Sequence, residues 1–244
     1  MRGRIDVGAV IRRVFDIYVD QAPVLMPAAA VVFVFTGILS ALLVAASAGL
    51  TLLALLIYVV ATTIFTGVVV ELVADLQDGR RDAGARELLR RAMPVIGQLL
   101  LVAVVAVLCV FVGLAFFVIP GLILFTIWSV AAPVVVLEHP PGLRALQRSR
   151  ELVRGNGWQV FGVLLVLDIA VLVVAGALEL AAESAGTGAG IVVRVIVGVL
   201  TAPLSALAAS VLYFQLSAAS AHAAAGAGST DSGPAETDGP GAEV

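Results

Sequence analysis

The sequence predicts an all-α polytopic membrane protein: a six-span transmembrane helical bundle with three cytoplasmic amphipathic in-plane helices. Three observations predict it. Hydrophobic residues make up 61% of the 244 and charged residues only 13%, where a soluble domain is nearer half apolar and a quarter charged. Continuous apolar runs of roughly 20 residues recur along the chain, the length that crosses a bilayer core. The basic residues, all arginine, cluster between alternate runs.

Six spans are expected, at about 22–46, 51–74, 95–118, 121–137, 158–180 and 189–216. Each is long enough to cross an apolar core of ~30 Å at ~1.5 Å per residue, the fourth being the shortest. They read as helices because the runs are continuously apolar, whereas lipid-facing barrel strands alternate. Spans 1 and 2 are joined by Ser47–Leu50, spans 3 and 4 at Pro120-Gly121, and spans 5 and 6 by about 182–188. These links are short. The connections at about 75–94 and 138–157 are long and basic.

Thirteen of the fourteen arginines fall in the N-terminal segment and the two long connections; only Arg194 lies near the other side. The positive-inside rule then places both termini and both long connections in the cytoplasm, across the inner membrane of a prokaryote. Ala46-Ser47-Ala48 resembles a signal-peptidase site, but the apolar stretch before it exceeds 20 residues and its flank carries Asp6, Asp16 and Asp20, so no cleavage is expected. Residues 1–225 form the membrane domain. Residues 226–244 hold four acids and almost nothing that packs, so a disordered cytoplasmic tail is expected.

A segment of helical period precedes each odd-numbered span. After Asp6, an expected N-cap, Val7, Val10, Ile11, Val14, Phe15, Ile17 and Tyr18 oppose Arg12, Arg13, Asp16 and Asp20. In 85–93, Ala85, Leu88, Leu89, Ala92 and Met93 oppose Arg86, Glu87, Arg90 and Arg91. In 143–154, Leu143, Ala145, Leu146, Ser149, Leu152 and Val153 oppose Arg144, Gln147, Arg148, Arg150, Glu151 and Arg154, between Pro140-Pro141-Gly142 and Gly155-Asn156-Gly157. The unit of basic helix, span, short outer link and span recurs three times, which suggests parallel repeats or a shared membrane constraint. A short helix of this kind lies in the headgroup plane. Either these helices only anchor and orient the bundle, or Arg12, Arg13, Arg86, Arg90, Arg144, Arg148 and Arg150 contact anionic lipid headgroups or a partner.

From Pro120-Gly121 onward the chain resembles a known family. IPGLILFTIWSVAAPVVVLE followed by GLRALQRSRELVRGNGWQVFG is similar to the membrane domain associated with some glycerophosphoryl diester phosphodiesterases. The matching elements are Pro120-Gly121, Trp128, Pro133, Glu138, Ala145-Leu146, Arg148-Ser149, Leu152, Gly155 and Trp158. Weaker echoes are ADLQDGR at 74–80 and RRVFDIYVDQAPVL at 12–25. The resemblance implies a six-helix membrane domain. It implies no enzyme, because the phosphodiester chemistry of the fused proteins belongs to a separate barrel-type domain, and no catalytic residue maps onto this chain.

Asp168 lies about 15 Å past Trp158 by helical rise, near mid-depth. Ionised there it costs roughly 2.5–3.5 kcal/mol on insertion scales, so it is expected to face the bundle interior or to be neutral. Thr62, Thr63, Ser129, Thr201 and Ser205 are candidate partners. It is either a proton or ion site or a structural hydrogen-bonding group. Glu179 and Arg194 are expected to form a structural ion pair at the outer end of spans 5 and 6. Glu71, Asp75, Asp78 and Glu138 are expected to clasp arginines of the amphipathic helices. Small residues at Gly198, Ala202 and Ala206, and at Gly37, Ala41 and Ala45, allow close helix packing within or between subunits. Pro203 should kink span 6.

The chemistry of the chain is restricted. Without lysine there is no P-loop phosphate site and no Schiff base. The lone Cys109 sits in an apolar run and forms no intrachain disulfide. His139 and His222 lack companions at ligand spacing, so no metal site is expected. No catalytic residue, cofactor or nucleic-acid partner is expected. The expected partners are the bilayer, anionic headgroups, and a second copy or another membrane protein. The expected function is a non-enzymatic accessory or lipid-associated membrane domain. The alternatives are a small transporter or channel subunit using Asp168 and, more weakly, an intramembrane lipid-modifying enzyme.

Overall fold

The computed structural model describes residues 6–79, 85–183 and 187–228, and among these it contains helices and no strand. The chain is an all-α bundle. Ten α-helices follow one another: α1 (Val7–Asp20), α2 (Ala22–Ala46), α3 (Thr51–Gln77), α4 (Ala85–Ala92), α5 (Ile96–Phe116), α6 (Val118–Ile127), α7 (Ala131–Glu138), α8 (Arg144–Val153), α9 (Gly157–Glu183) and α10 (Thr187–Gly228). Six segments are long and apolar enough to cross a membrane: Ala22–Leu43, Thr51–Gln77, Glu87–Phe116, Val118–Glu138, Gly157–Leu180 and Val192–Ala221. The expected spans match them within a few residues, except that the third begins earlier. The expected disordered tail overlaps the end of α10 at 226–228; the rest of it lies outside the described residues.

Local chemistry sets several boundaries. Asp6 caps α1, accepting from the backbone N–H of Gly8 at 2.9 Å and of Ala9 at 3.2 Å. Pro23 enters α2 in its first turn, where a missing N–H costs nothing. His139 ends α7 in the left-handed region at φ 51°, and Pro140-Pro141 follow, which cannot continue the helix. Gly155, at φ 98°, closes α8. The Pro-Pro-Gly start and Gly-Asn-Gly stop expected around this helix both hold.

The fourth span is not one helix. It breaks at Trp128–Val130 into α6 and α7. Lipid tolerates such a break only where protein or water satisfies the freed backbone. Val134, Val135 and Val136 are consecutive and all fully buried. Successive helical residues point about 100° apart, so burial of three in a row means α7 is enclosed on all sides. The neighbours that enclose it are α3, α5, α8 and α10.

The three amphipathic helices pack on the bundle. α1 lies against α9 and α10 through Val10, Val14 and Ile17. α4 lies against α3 through Leu88 and Ala92. α8 folds back along α7, also touching α5, α6 and α10, through Ala145, Leu146, Leu152 and Val153. Their apolar stripes are therefore mostly covered by protein. The exceptions are Phe15 and Val19 on α1, Met93 just after α4 and Leu143 just before α8, which are exposed.

The small-residue stripes act within the chain. A Cβ at Gly198 would come within 2.7 Å of the Phe33 ring, and one at Gly37 within 2.6 Å of Val195, so the two glycines let α2 and α10 meet closely. Pro203 sits inside α10 without ending it.

Candidate functional site

The densest set of charged contacts gathers at the arginine-bearing end of the bundle, where α4 and α8 meet α3, α7 and α10. Asp75, in the last turns of α3, is 6% exposed. Its Oδ1 receives Arg91 Nη1 of α4 at 2.8 Å. Glu87 holds Arg91 from the same helix through Nε at 3.3 Å, and also Arg90 at 3.0 Å. Glu71 lies one turn before Asp75 and is half-buried. The other carboxylate oxygen, Asp75 Oδ2, is buried with no hydrogen-bond partner.

Glu138 is the second node. Its Oε2 accepts from Arg148 Nε of α8 at 2.9 Å, and its Oε1 accepts from the Tyr213 hydroxyl of α10 at 2.9 Å. One carboxylate thus ties α7, α8 and α10 together. Arg148 Nη1 lies 3.6 Å from Glu151. The hydrogen bond to Glu138 is the largest influence on the Arg148 guanidinium and raises its pKa against the opposing effect of burial. An arginine raised in this way stays charged at every pH below its ordinary value, so the pair is lost from the arginine side only in strong alkali. Gln98 of α5 closes the same end, donating to the Pro140 carbonyl and, at 3.3 Å, to that of Gly142.

Two side chains pin the amphipathic helices deeper in the bundle. Ser149 is fully buried and donates to the Ile127 carbonyl, at the break of span 4, across 2.8 Å. Tyr18 of α1 donates to the Leu200 carbonyl at 3.0 Å, one turn ahead of Pro203, and burial pushes its phenol pKa up.

The expected clasps of Asp75 and Glu138 are present. The expected headgroup arginines divide into two groups. Arg148 is taken up by Glu138 and Glu151, and Arg90 shares Glu87 although its side chain is 78% exposed. Arg12, Arg13, Arg144 and Arg150 are exposed and make no ion pair among the described residues. The side chain of Arg86 lies outside the described residues.

At the other polar positions, Asp168 does not face the interior, which leaves the neutral carboxyl of its two expected alternatives, and the expected Glu179–Arg194 pair is corrected. The packed stripe of α9 is Val160, Val163, Leu164 and Leu167, and Asp168 is exposed beside it, on the flank of Phe161. Four of the five candidate hydroxyls are already committed: Thr62, Thr63 and Thr201 donate to carbonyls one turn back in their own helices, and Ser129 to the Thr126 carbonyl; Ser205 is exposed. Glu179 and Arg194 are both exposed and do not come within ion-pair distance. At a solvated helix end such a pair gains little over hydration of the separate charges.

Tyr213 and Gln98 escape sequence reasoning, because a lone polar residue in an apolar run does not reveal its distant partner. Among the described residues no group of three metal-ligating side chains gathers. The node side chains at this end are paired carboxylates and guanidinium groups, with a phenol and an amide. They fasten α4 to α3 and α8 to α7 and α10.

A family model, described as a domain of unknown function, DUF8558, matches residues 88–218, from α4 to α10. No curated protein and no solved structure matches the chain.

Proposed function

The chain belongs to the family of the domain of unknown function DUF8558, and from there we propose that it is a non-enzymatic, lipid-associated domain of a prokaryotic cytoplasmic membrane. Both termini and the arginine-bearing end face the cytoplasm in this proposal. Its exposed arginines contact anionic headgroups there. The resemblance of residues 119–162 to the membrane domain associated with glycerophosphoryl diester phosphodiesterases belongs to the same proposal.

One observation carries it. The apolar stripes of α1, α4 and α8 are largely covered by the bundle, while Arg12, Arg13, Arg144 and Arg150 stay exposed and without an ion pair within the described chain. A helix whose only task is to float in the interface would keep its apolar stripe for lipid. These helices are held by protein, so the backbone positions from which their guanidinium groups project are fixed. Each arginine near an anionic leaflet contributes on the order of 1 kcal/mol, screened by salt.

The test is lipid enrichment. Purified protein in mixed anionic and zwitterionic nanodiscs should concentrate anionic lipid in its annulus. Replacing Arg12, Arg13, Arg144 and Arg150 by Gln should remove that preference; an unchanged preference would sink the proposal. Orientation is tested separately in a Cys109→Ser background. Gln77→Cys should label only from the cytoplasmic side and Gly49→Cys only from outside.

A second reading rests on Asp168, a carboxyl in a span with no hydrogen bond or ion pair among the described residues. A transporter or channel would use it only if a further subunit enclosed that flank. Asp168→Asn should then abolish a flux that the parent protein supports in proteoliposomes.

A further inference from the structure

A groove of about 840 Å³ runs between α6 and the start of α9. Ile119, Leu122, Ile123 and Ile127 form one wall, and Trp158 and Phe161 the other. Gly155, Gly157 and Gln159 line its polar edge; Thr126 also lines it, but its hydroxyl is spent on the Leu122 carbonyl. We propose that this groove holds one acyl chain of an anionic phospholipid, with the phosphate at the Gly155–Gly157 edge beside Arg154.

The volume falls in the range of small-ligand sites, and the wall from Ile119 to Ile127 is about 12 Å long by helical rise. The lining suits a hydrocarbon. The Trp158 and Phe161 rings meet edge to face at 6.0 Å, and Trp158 is 84% exposed at the start of its span. An indole at that level places an apolar ring against acyl chains and an N–H among headgroups.

The charge is one-sided. Arg154 immediately precedes the polar edge and Arg150 lies one turn before it; both are exposed and have no ion pair among the described residues. The nearest acid on α8, Glu151, is 3.6 Å from Arg148. Asp168, two turns beyond Phe161 on the same flank, does not line the groove. A phosphate therefore belongs at the Arg154 end and the hydrocarbon towards Ile119. Only the sign of the headgroup rests on the proposal that this end of the bundle faces an anionic leaflet; the acyl site stands on the groove itself.

The experiment uses the full chain in nanodiscs doped with a phosphatidylglycerol probe whose acyl chain carries a photoactivatable diazirine. Adducts are mapped by mass spectrometry. Label is expected on 119–127 and 155–161. Ile123→Trp, which fills the groove, should lower that label at least tenfold, with Leu122→Trp as a second filling variant if the first does not fold. Arg154→Gln should lower it about fivefold, the loss of one guanidinium. Label spread evenly over the spans, label indifferent to both filling variants, or a cross-link between two copies at the groove would overturn the site. Equal labelling by a phosphatidylcholine probe would overturn its anionic character. If the four-arginine Gln variant loses its annular preference yet keeps the groove label, the site stands apart from the surface array; if it keeps the preference while filling the groove has no effect, the site alone falls.

Discussion

The buried hydroxyl of Ser149 donates to the carbonyl of Ile127 across 2.8 Å, joining an amphipathic helix to the break in a membrane span. The break frees backbone groups in an apolar setting, and α8 supplies a partner from outside the span. Ser149→Ala removes the donor and leaves a carbonyl unsatisfied, at a cost of about 1–3 kcal/mol. The expected result is a lower thermal midpoint in detergent. Ser220→Ala, at an exposed position whose hydroxyl bonds only its own helix, should leave the midpoint unchanged.

Glu138 accepts from Arg148 and Tyr213 with separate oxygens, so its removal strands two donors at once. Glu138→Ala should destabilise more than either Arg148→Ala or Tyr213→Phe. Double-mutant cycles should give coupling of about 0.5–3 kcal/mol for Glu138 with each partner. The Arg148 coupling belongs at the lower end, because that side chain is 41% exposed and the solvent screens it. Additive single effects would mean that the node carries no stability of its own.

Sequence pattern and tertiary contact divide the legible from the illegible here. Runs such as 96–116 reveal a span because membrane length and apolarity are local properties. The arginine faces of α1, α4 and α8 are local too, and Asp75 and Glu138 could be assigned to arginine clasps by charge and position alone. What covers the apolar stripes is not local. Val10, Leu88 and Leu152 meet lipid or protein according to how distant helices are arranged, and the helical period is the same in both cases. The break at Trp128–Val130 was hidden for a related reason: its stabilising partner, Ser149, lies 22 residues away. Asp168 misled because depth was counted along the helix while its facing depended on which stripe of α9 packs.

The α5–α6 hairpin turns at Phe117 rather than at the expected Pro120-Gly121, which lie in the first turn of α6, and the glycine there has a steric reason. A Cβ at Gly121 would lie 2.6 Å from the backbone nitrogen of Leu114, and one at Gly113 would lie 3.0 Å from the Gly121 Cα. Backbone cannot rotate aside as a side-chain tip can. Gly121→Ala should therefore force α5 and α6 apart and cost about 1–3 kcal/mol, as overpacking typically does. Gly176→Ala makes the matched control, since nothing lies within 4 Å of its added Cβ. It should be neutral or slightly stabilising. Thermal midpoints of the two variants in one detergent decide the point, and equal midpoints would remove the steric account.

Asp168 separates structure from chemistry. It is exposed on the flank of α9 and has no hydrogen bond or ion pair among the described residues, so no polar contact described in the bundle depends on it. Asp168→Leu should leave the six-span fold intact. It should also ease membrane insertion of the span by roughly 2–4 kcal/mol, the difference between an acid and an apolar residue near the centre of a helix. Insertion efficiency of 157–180 in microsomes measures this directly. A fall in insertion, or loss of the folded protein, would mean that the carboxyl has a partner in the assembled membrane state. The flux measured with Asp168→Asn then shows whether that partner belongs to an ion path: lost flux with unchanged insertion would favour transport over the lipid-associated role.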